Sequence, residues 1–145
     1  MKSSQQEEII NHTAKDLFKI VLDIEKYPEF IPWCKDVKIK SKSKDQILAD
    51  MIVNFNYFLT KTFTSHVFYN SNKLSINTEY IDGPLKDLKT KWTFESLEKK
   101  KTKVLFNVKF EFQKFLHQKL AELFFDLIEN KMIDSFKKRA DEILD

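Results

Sequence analysis

The thirty residues from Phe115 to Leu144, FLHQKLAELFFDLIENKMIDSFKKRADEIL, contain neither Pro nor Gly and close the chain. Apolar residues recur three and four apart within them, so the stretch reads as one long helix. At ~100° per residue, Leu116, Leu120, Leu123, Phe124 and Leu127 make one stripe. Met132, Phe136, Ala140 and Ile143 fall on roughly the opposite side, joined by Phe125, and the phase changes near Asn130. A helix held by one flat sheet keeps a single stripe. This one either curves around its own sheet or turns a second apolar face to a membrane or a subunit.

Almost everything before that helix alternates with period two, the pattern of half-buried strands. Lys2 to Ile10 is a polar first strand suited to a sheet edge. Thr13 then caps a helix, with Asp16 three residues on and an apolar face of Leu17, Phe18, Ile20, Val21 and Ile24, which Pro28 ends. Tyr27 to Cys34 packs two prolines and three aromatics into a knuckle that either plugs one end of the sheet or forms the lip of a cavity.

From Asp36 to Gln113 strand follows strand. Ile47, Ala49, Met51, Val53 and Phe55 share one parity, as do Tyr57, Leu59, Phe63, Val67 and Tyr69, with Lys61 interrupting the second row. Leu74, Ile76, Thr78 and Tyr80 form another strand, and Leu88, Trp92 and Phe94 a further one. Val104, Phe106, Val108, Phe110 and Phe112 form the most regular row. The sum is an α+β domain spanning residues 1–145. It has about seven antiparallel strands, a short helical insert after the first, and a long closing helix. Asp82-Gly83-Pro84 holds the one Gly and marks a tight turn.

Composition bounds the chemistry. Net charge is +3, pI about 8.8, and Arg139 is the single Arg, which is no nucleic-acid footprint and argues against a DNA partner. The lone Cys34 excludes an internal disulfide and fits a reducing compartment. No apolar run approaches the ~20 residues of a membrane-spanning helix, so the expected location is cytoplasmic, or peripheral at the inner face of an inner membrane. His12, His66 and His117 show no metal-ligand spacing, and one Gly cannot build phosphate loops or an oxyanion turn. No catalytic residue, metal or required cofactor is expected. Glu111 alternates against Phe110 and Phe112, and so faces solvent. Lys61 has inward parity: a buried Lys must either snorkel to the cavity mouth or meet a polar group of a ligand, unless the strand bends and leaves it outside. Fourteen Phe either fill a core or line an apolar pocket.

The order and spacing of several motifs carry a resemblance over nearly the whole chain. These are Phe30-Ile31-Pro32-Trp33-Cys34 after the first helix, Thr62-Phe63-Thr64-Ser65, and Asp82-Gly83-Pro84-Leu85-Lys86-Asp87-Leu88 leading to Trp92-Thr93-Phe94. Phe110-Glu111-Phe112 and a closing helix with Met132, Phe136, Arg139 and Ala140 complete the set. Together they resemble the coenzyme Q-binding, START-like group of the polyketide cyclase/dehydrase type, which also includes a bacterial ribosome-association toxin. Leu85 and Lys91 depart from it, where Phe and Arg are common.

The resemblance implies a helix-grip fold around a deep apolar tunnel that binds ubiquinone or a related polyprenyl lipid, in support of respiratory electron transport. The candidate ligand-binding residues are Phe30, Pro32, Trp33, Phe55, Lys61, Phe63, Trp92, Phe94, Phe110, Leu120 and Phe124, with Lys61 near the entrance. Two alternatives follow from the same group. One is a factor that binds the large ribosomal subunit through Lys-rich residues 35–44 and 99–103 and blocks subunit association. The other is a cyclase or dehydrase, which the lack of a paired acid and base disfavours.

Overall fold

The alternating segments become seven strands in the computed structural model, which describes residues 2–56, 59–113 and 118–144. They are β1 (Lys2–Ile10), β2 (Cys34–Ser43), β3 (Gln46–Asn56), β4 (Leu59–Asn70), β5 (Ser75–Asp82), β6 (Leu85–Glu98) and β7 (Lys101–Phe112). All pair antiparallel in one sheet of order β1-β7-β6-β5-β4-β3-β2. The polar β1 is indeed an edge. The other edge, β2, carries exposed Lys38, Lys40 and Lys42, charges that discourage pairing with a foreign strand.

Parity places the core. Ile47, Ala49 and Val53 of β3, Phe63 and Val67 of β4, and Val104, Phe106, Val108 and Phe110 of β7 are buried on one face. Tyr57 and the side chain of Leu59, assigned to the same face from sequence, lie outside the described residues, as do Phe115, Leu116 and His117.

Between β1 and β2 stands α1 (Ala14–Leu22). Its first turn is capped as expected, the Asp16 amide donating to Thr13 Oγ1 at 3.2 Å. The helix stops six residues before Pro28, at Leu22. Asp23 leaves the helical region at φ −80°, ψ 69°, and a 3₁₀ turn, Ile24–Glu29, takes in both Ile24 and Pro28. A tighter turn tolerates the missing proline N–H that a longer α-helix would need.

The closing segment comprises α2 (Gln118–Asp126), a π-helical turn (Leu127–Lys131) and α3 (Met132–Ile143). The π turn resolves the phase change near Asn130. Buried residues fall at Leu120, Phe124, Ile128, Ile133, Phe136 and Ala140, successive steps of four and three broken by one step of five across the π turn. The wider turn absorbs one extra residue, so both stripes face the same sheet. Of the two alternatives, the helix held by its own sheet is the one observed, and of the second stripe only Ile143, 51% exposed, points to solvent. Gln6 of β1 marks the place by donating from Nε2 to the Ile128 carbonyl at 2.6 Å. Deleting Glu129, an exposed residue inside the π turn, should leave a continuous α-helix with its buried stripe intact. Its melting temperature is expected to stay within a few degrees of the parent, whereas deleting Asp134 in α3 should lower it far more.

Sheet and helix share one buried cluster. The lower half of the closing helix is tied to the rest by polar contacts: Lys137 to Glu8 (3.1 Å), Arg139 to Glu29 (3.0 Å) and His12 Nε2 to Asp141 Oδ1 (2.8 Å). The hydroxyl of the fully buried Thr102 donates to the His12 carbonyl at 2.7 Å.

The β5–β6 turn is built around Gly83, whose φ of +150° suits glycine. A Cβ there would lie 2.8 Å from Tyr80 Oη and 2.9 Å from the Thr62 carbonyl. That phenol cannot retreat, because it donates to the Leu85 carbonyl and accepts from the Leu85 amide, both at 2.9 Å. Gly83→Ala is therefore expected to destabilise the protein by about 1–3 kcal/mol, read as a lower urea midpoint at unchanged slope.

Candidate functional site

The inward rows and the helix do not close on each other everywhere. They leave a cavity of about 160 Å³, counted as space open to the centre of a water-sized sphere. A single water needs ~10–15 Å³ on that measure, so this is a chamber rather than a packing defect. The sheet wall comes from β2 to β7, the helix side from Phe124, Leu127, Ile128, Met132 and Phe136, and one flank from Val21, Ile24, Tyr27 and Trp33.

Aromatic rings shape it. Phe63 stacks on Phe124 across the sheet–helix gap with centroids 6.2 Å apart, and Phe55 stands 6.3 Å from Phe63. Trp92 is wedged between Phe106 at 4.3 Å and Phe136 at 5.1 Å. The prolyl knuckle contributes wall directly through Tyr27 and Trp33, and Arg139 braces it from outside. The guanidinium pairs with Glu29 and sits 5.0 Å from the Phe30 ring centroid. That pairing holds the Glu29 carboxyl below its usual range.

Of the eleven residues expected to bind ligand, Trp33, Phe55, Phe63, Trp92 and Phe124 line the cavity. The other six do not. Phe30 is half-buried behind the knuckle, packed on Tyr27 and Phe136, and Pro32 is exposed. Phe94 is buried against Phe18 of α1 at 5.9 Å. Phe110 is fully buried, with Phe124 at 5.3 Å and Phe125 at 5.0 Å. Leu120 is buried away from the cavity at 3% exposure. Lys61 is paired with the inward Val53 and yet exposed, at the end of β4 where the side chain reaches water, so it is no buried cation. Parity gives the face a side chain points to. Which element covers it is a separate matter, and α1 covers Phe94 as α2 covers Phe110.

Among the described residues, no Asp, Glu, Lys, Arg or His side chain lines the cavity. The one titratable group among the described lining residues is Tyr27, whose phenol donates to the Val21 carbonyl and which burial holds protonated, far above the ordinary tyrosine range. Among the described residues no group of three His, Cys, Asp or Glu side chains could hold a metal ion. The polar side chains on the wall that sequence reasoning missed are Ser65 and Thr90, with Thr78 placed in a strand but given no role. Each shares the parity of an inward row, which is the signal that could have found them.

Cys34, next to Trp33, is buried, and its thiol is pushed up to about 11 by burial and the nearby Asp36 charge. Far less of it is therefore thiolate at pH 8 than for an ordinary cysteine. The native protein is expected to react with Ellman's reagent correspondingly slowly, and to regain ordinary thiol reactivity when unfolded in urea.

A family model described as "Polyketide cyclase / dehydrase and lipid transport" matches residues 10–137. Among curated proteins, the chain is 30% identical over 151 residues to the ribosome association toxin RatA of Rickettsia prowazekii, covering 99% of each chain. It is 33% identical over 143 residues to the mitochondrial coenzyme Q-binding protein COQ10 of Drosophila melanogaster, covering 93% of this chain and 58% of that one. Among solved structures, the ZhuI aromatase/cyclase from Streptomyces superposes with a TM-score of 0.86 over 97% of this chain and 94% of its own. At 13% identity that likeness shows the fold alone. The sheet gripping its terminal helix is thus a helix-grip fold, and by the extent of the match this chain belongs to the polyketide cyclase/dehydrase and lipid transport family.

Proposed function

We propose that this protein binds ubiquinone or a related polyprenyl lipid in the cavity and carries or shelters it without transforming it, in support of respiratory electron transport. The observation that carries the reading is the lining of the cavity: a chamber of about 160 Å³ whose described wall is mainly aromatic and aliphatic, with no charged group among those residues. Catalysis of a cyclase type needs a group to move protons. Among the described residues the one titratable side chain on the wall, Tyr27, is committed to a backbone carbonyl. An apolar ligand gains ~2.5 kcal/mol for each ~100 Å² it buries, against ~0.5–1.5 kcal/mol for a neutral hydrogen bond. Affinity then comes mainly from the hydrocarbon part.

The coenzyme Q-binding relative supports the quinone class. Among the described residues no helix is long and apolar enough to cross a membrane, and the reading places the protein in the cytoplasm or against the inner face of the inner membrane, where such lipids reside. Organic extraction of the purified protein, followed by mass spectrometry, is expected to yield a prenylated quinone, and a short-chain quinone analogue should bind at micromolar concentration. Repeated extraction without any quinone, together with no analogue binding, would overturn the reading.

A second reading, association with the large ribosomal subunit, is favoured by the relatives named ribosome association toxin. Exposed Lys38, Lys40, Lys42 and Lys44 on the β2–β3 hairpin, and Lys99 and Lys100 on the β6–β7 hairpin, offer cations for RNA phosphates. Co-sedimentation with 50S particles that persists at moderate salt would support it.

A further inference from the structure

Three hydroxyl side chains interrupt the hydrocarbon wall on neighbouring strands. Thr78 of β5 and Thr90 of β6 are directly paired across the strands. Ser65 of β4 lies two residues from Val67, the residue paired with Thr78 on the other side. All three line the cavity, and none of their hydroxyls has a hydrogen-bond partner among the described residues.

A hydroxyl on the wall of an apolar chamber, with no protein partner, is left to bond whatever enters the chamber, water or ligand. Valine, similar in shape to threonine and equally suited to a strand, would have kept the wall fully apolar. No side-chain oxygen or nitrogen among the described residues is both sealed from solvent and unpartnered, so these three hydroxyls open on to the cavity.

We propose that Ser65, Thr78 and Thr90 seat the oxygen-bearing head of the ligand, which is therefore neutral and enters head-first against the middle of the sheet. The inference rests on the cavity being a lipid site. A hydroxyl both donates and accepts. The patch can donate to the carbonyl oxygens of a quinone and accept from the hydroxyls of the corresponding quinol, so it holds either redox form without taking part in electron transfer. A carboxylate or phosphate head would be desolvated here with no cation among the described lining residues to meet it, which favours a neutral head.

Duroquinone and durene test this, because they share a methylated six-membered ring and differ in the two carbonyl oxygens. Both are expected to bind the parent protein. In the triple variant Ser65→Ala/Thr78→Val/Thr90→Val, duroquinone should lose about tenfold in affinity, the worth of two neutral hydrogen bonds, while durene binds as before or better. If the two ligands respond alike, or neither changes, the patch is not the head site, although the cavity reading stands. If the parent binds neither, the cavity reading itself fails and takes this one with it. Should the triple variant not fold, Thr90→Val against Thr90→Ser decides the matter. A selective loss of duroquinone in the first, restored in the second, is expected, and equal behaviour of the two would overturn the assignment.

Discussion

Phe110→Ala is expected to cost about 3–5 kcal/mol of folding stability, the usual penalty for deleting a buried ring from a packed core. Phe110 is 0% exposed, in the middle of the contact between β7 and the closing helix. Three rings surround it, Phe112 at 5.3 Å, Phe124 at 5.3 Å and Phe125 at 5.0 Å, the last two meeting it edge to face. Such pairs add to simple burial. Because Phe110 does not line the cavity, quinone-analogue affinity measured on the folded fraction should stay near the parent value. Urea titration gives the first quantity and isothermal titration the second. A loss of affinity without loss of stability would put Phe110 on the ligand after all. Phe63→Ala should do the reverse: that ring already borders open space, so its removal costs less stability and weakens binding more.

Ala49→Phe should weaken a quinone analogue by roughly 100-fold, about 2.8 kcal/mol. Ala49 is a small residue on the cavity wall, 5% exposed, paired with Ile39 on one side and Ser65 on the other. A benzyl group grown from that position enters the chamber and displaces ligand surface. The expected loss matches burial of ~100 Å² at ~25 cal/mol per Å². Folding stability should hold or rise by about 0.5–2 kcal/mol, as commonly found when a natural cavity is filled. A variant that melts no lower than the parent and still binds the analogue would show that the ligand sits elsewhere. A variant that binds no analogue but keeps any ribosome association would separate the two functional readings in one molecule.

The strand pattern was legible because a pleated strand sends alternate side chains to opposite faces. That rule alone puts Ile47, Ala49 and Val53 inward, orders the row from Val104 to Phe110, and sends Glu111 outward, where it meets Lys86 at 3.6 Å. The cap at Thr13 was legible for an equally local reason, since a hydroxyl there reaches the amide of Asp16. Local rules failed at the closing helix. A wheel drawn at ~100° per residue assumes one winding throughout, and the π turn at Leu127–Lys131 changes the winding in mid-helix, so an apparent second face between Met132 and Ala140 belongs to the first.

The candidate site divides along the same line. Phe30, Phe94 and Phe110 are chemically identical to Phe55, Phe63 and Phe124, and alternation turns Phe94 and Phe110 toward the interior just as well, while Phe30 sits in the prolyl knuckle. The first three are covered by Arg139, Phe18 and Phe125, while the other three face the chamber. Ser65, Thr78 and Thr90 stood in inward rows all along, yet a Thr in a strand is unremarkable until its hydroxyl is seen to lack a partner. Residue order encodes which way each side chain leaves the backbone, a property of two or three neighbouring dihedrals. The room left between a curved sheet and the helix it holds depends on how far apart two surfaces come to rest, and that distance is set by contacts between residues as far apart in sequence as Gln6 and Ile128.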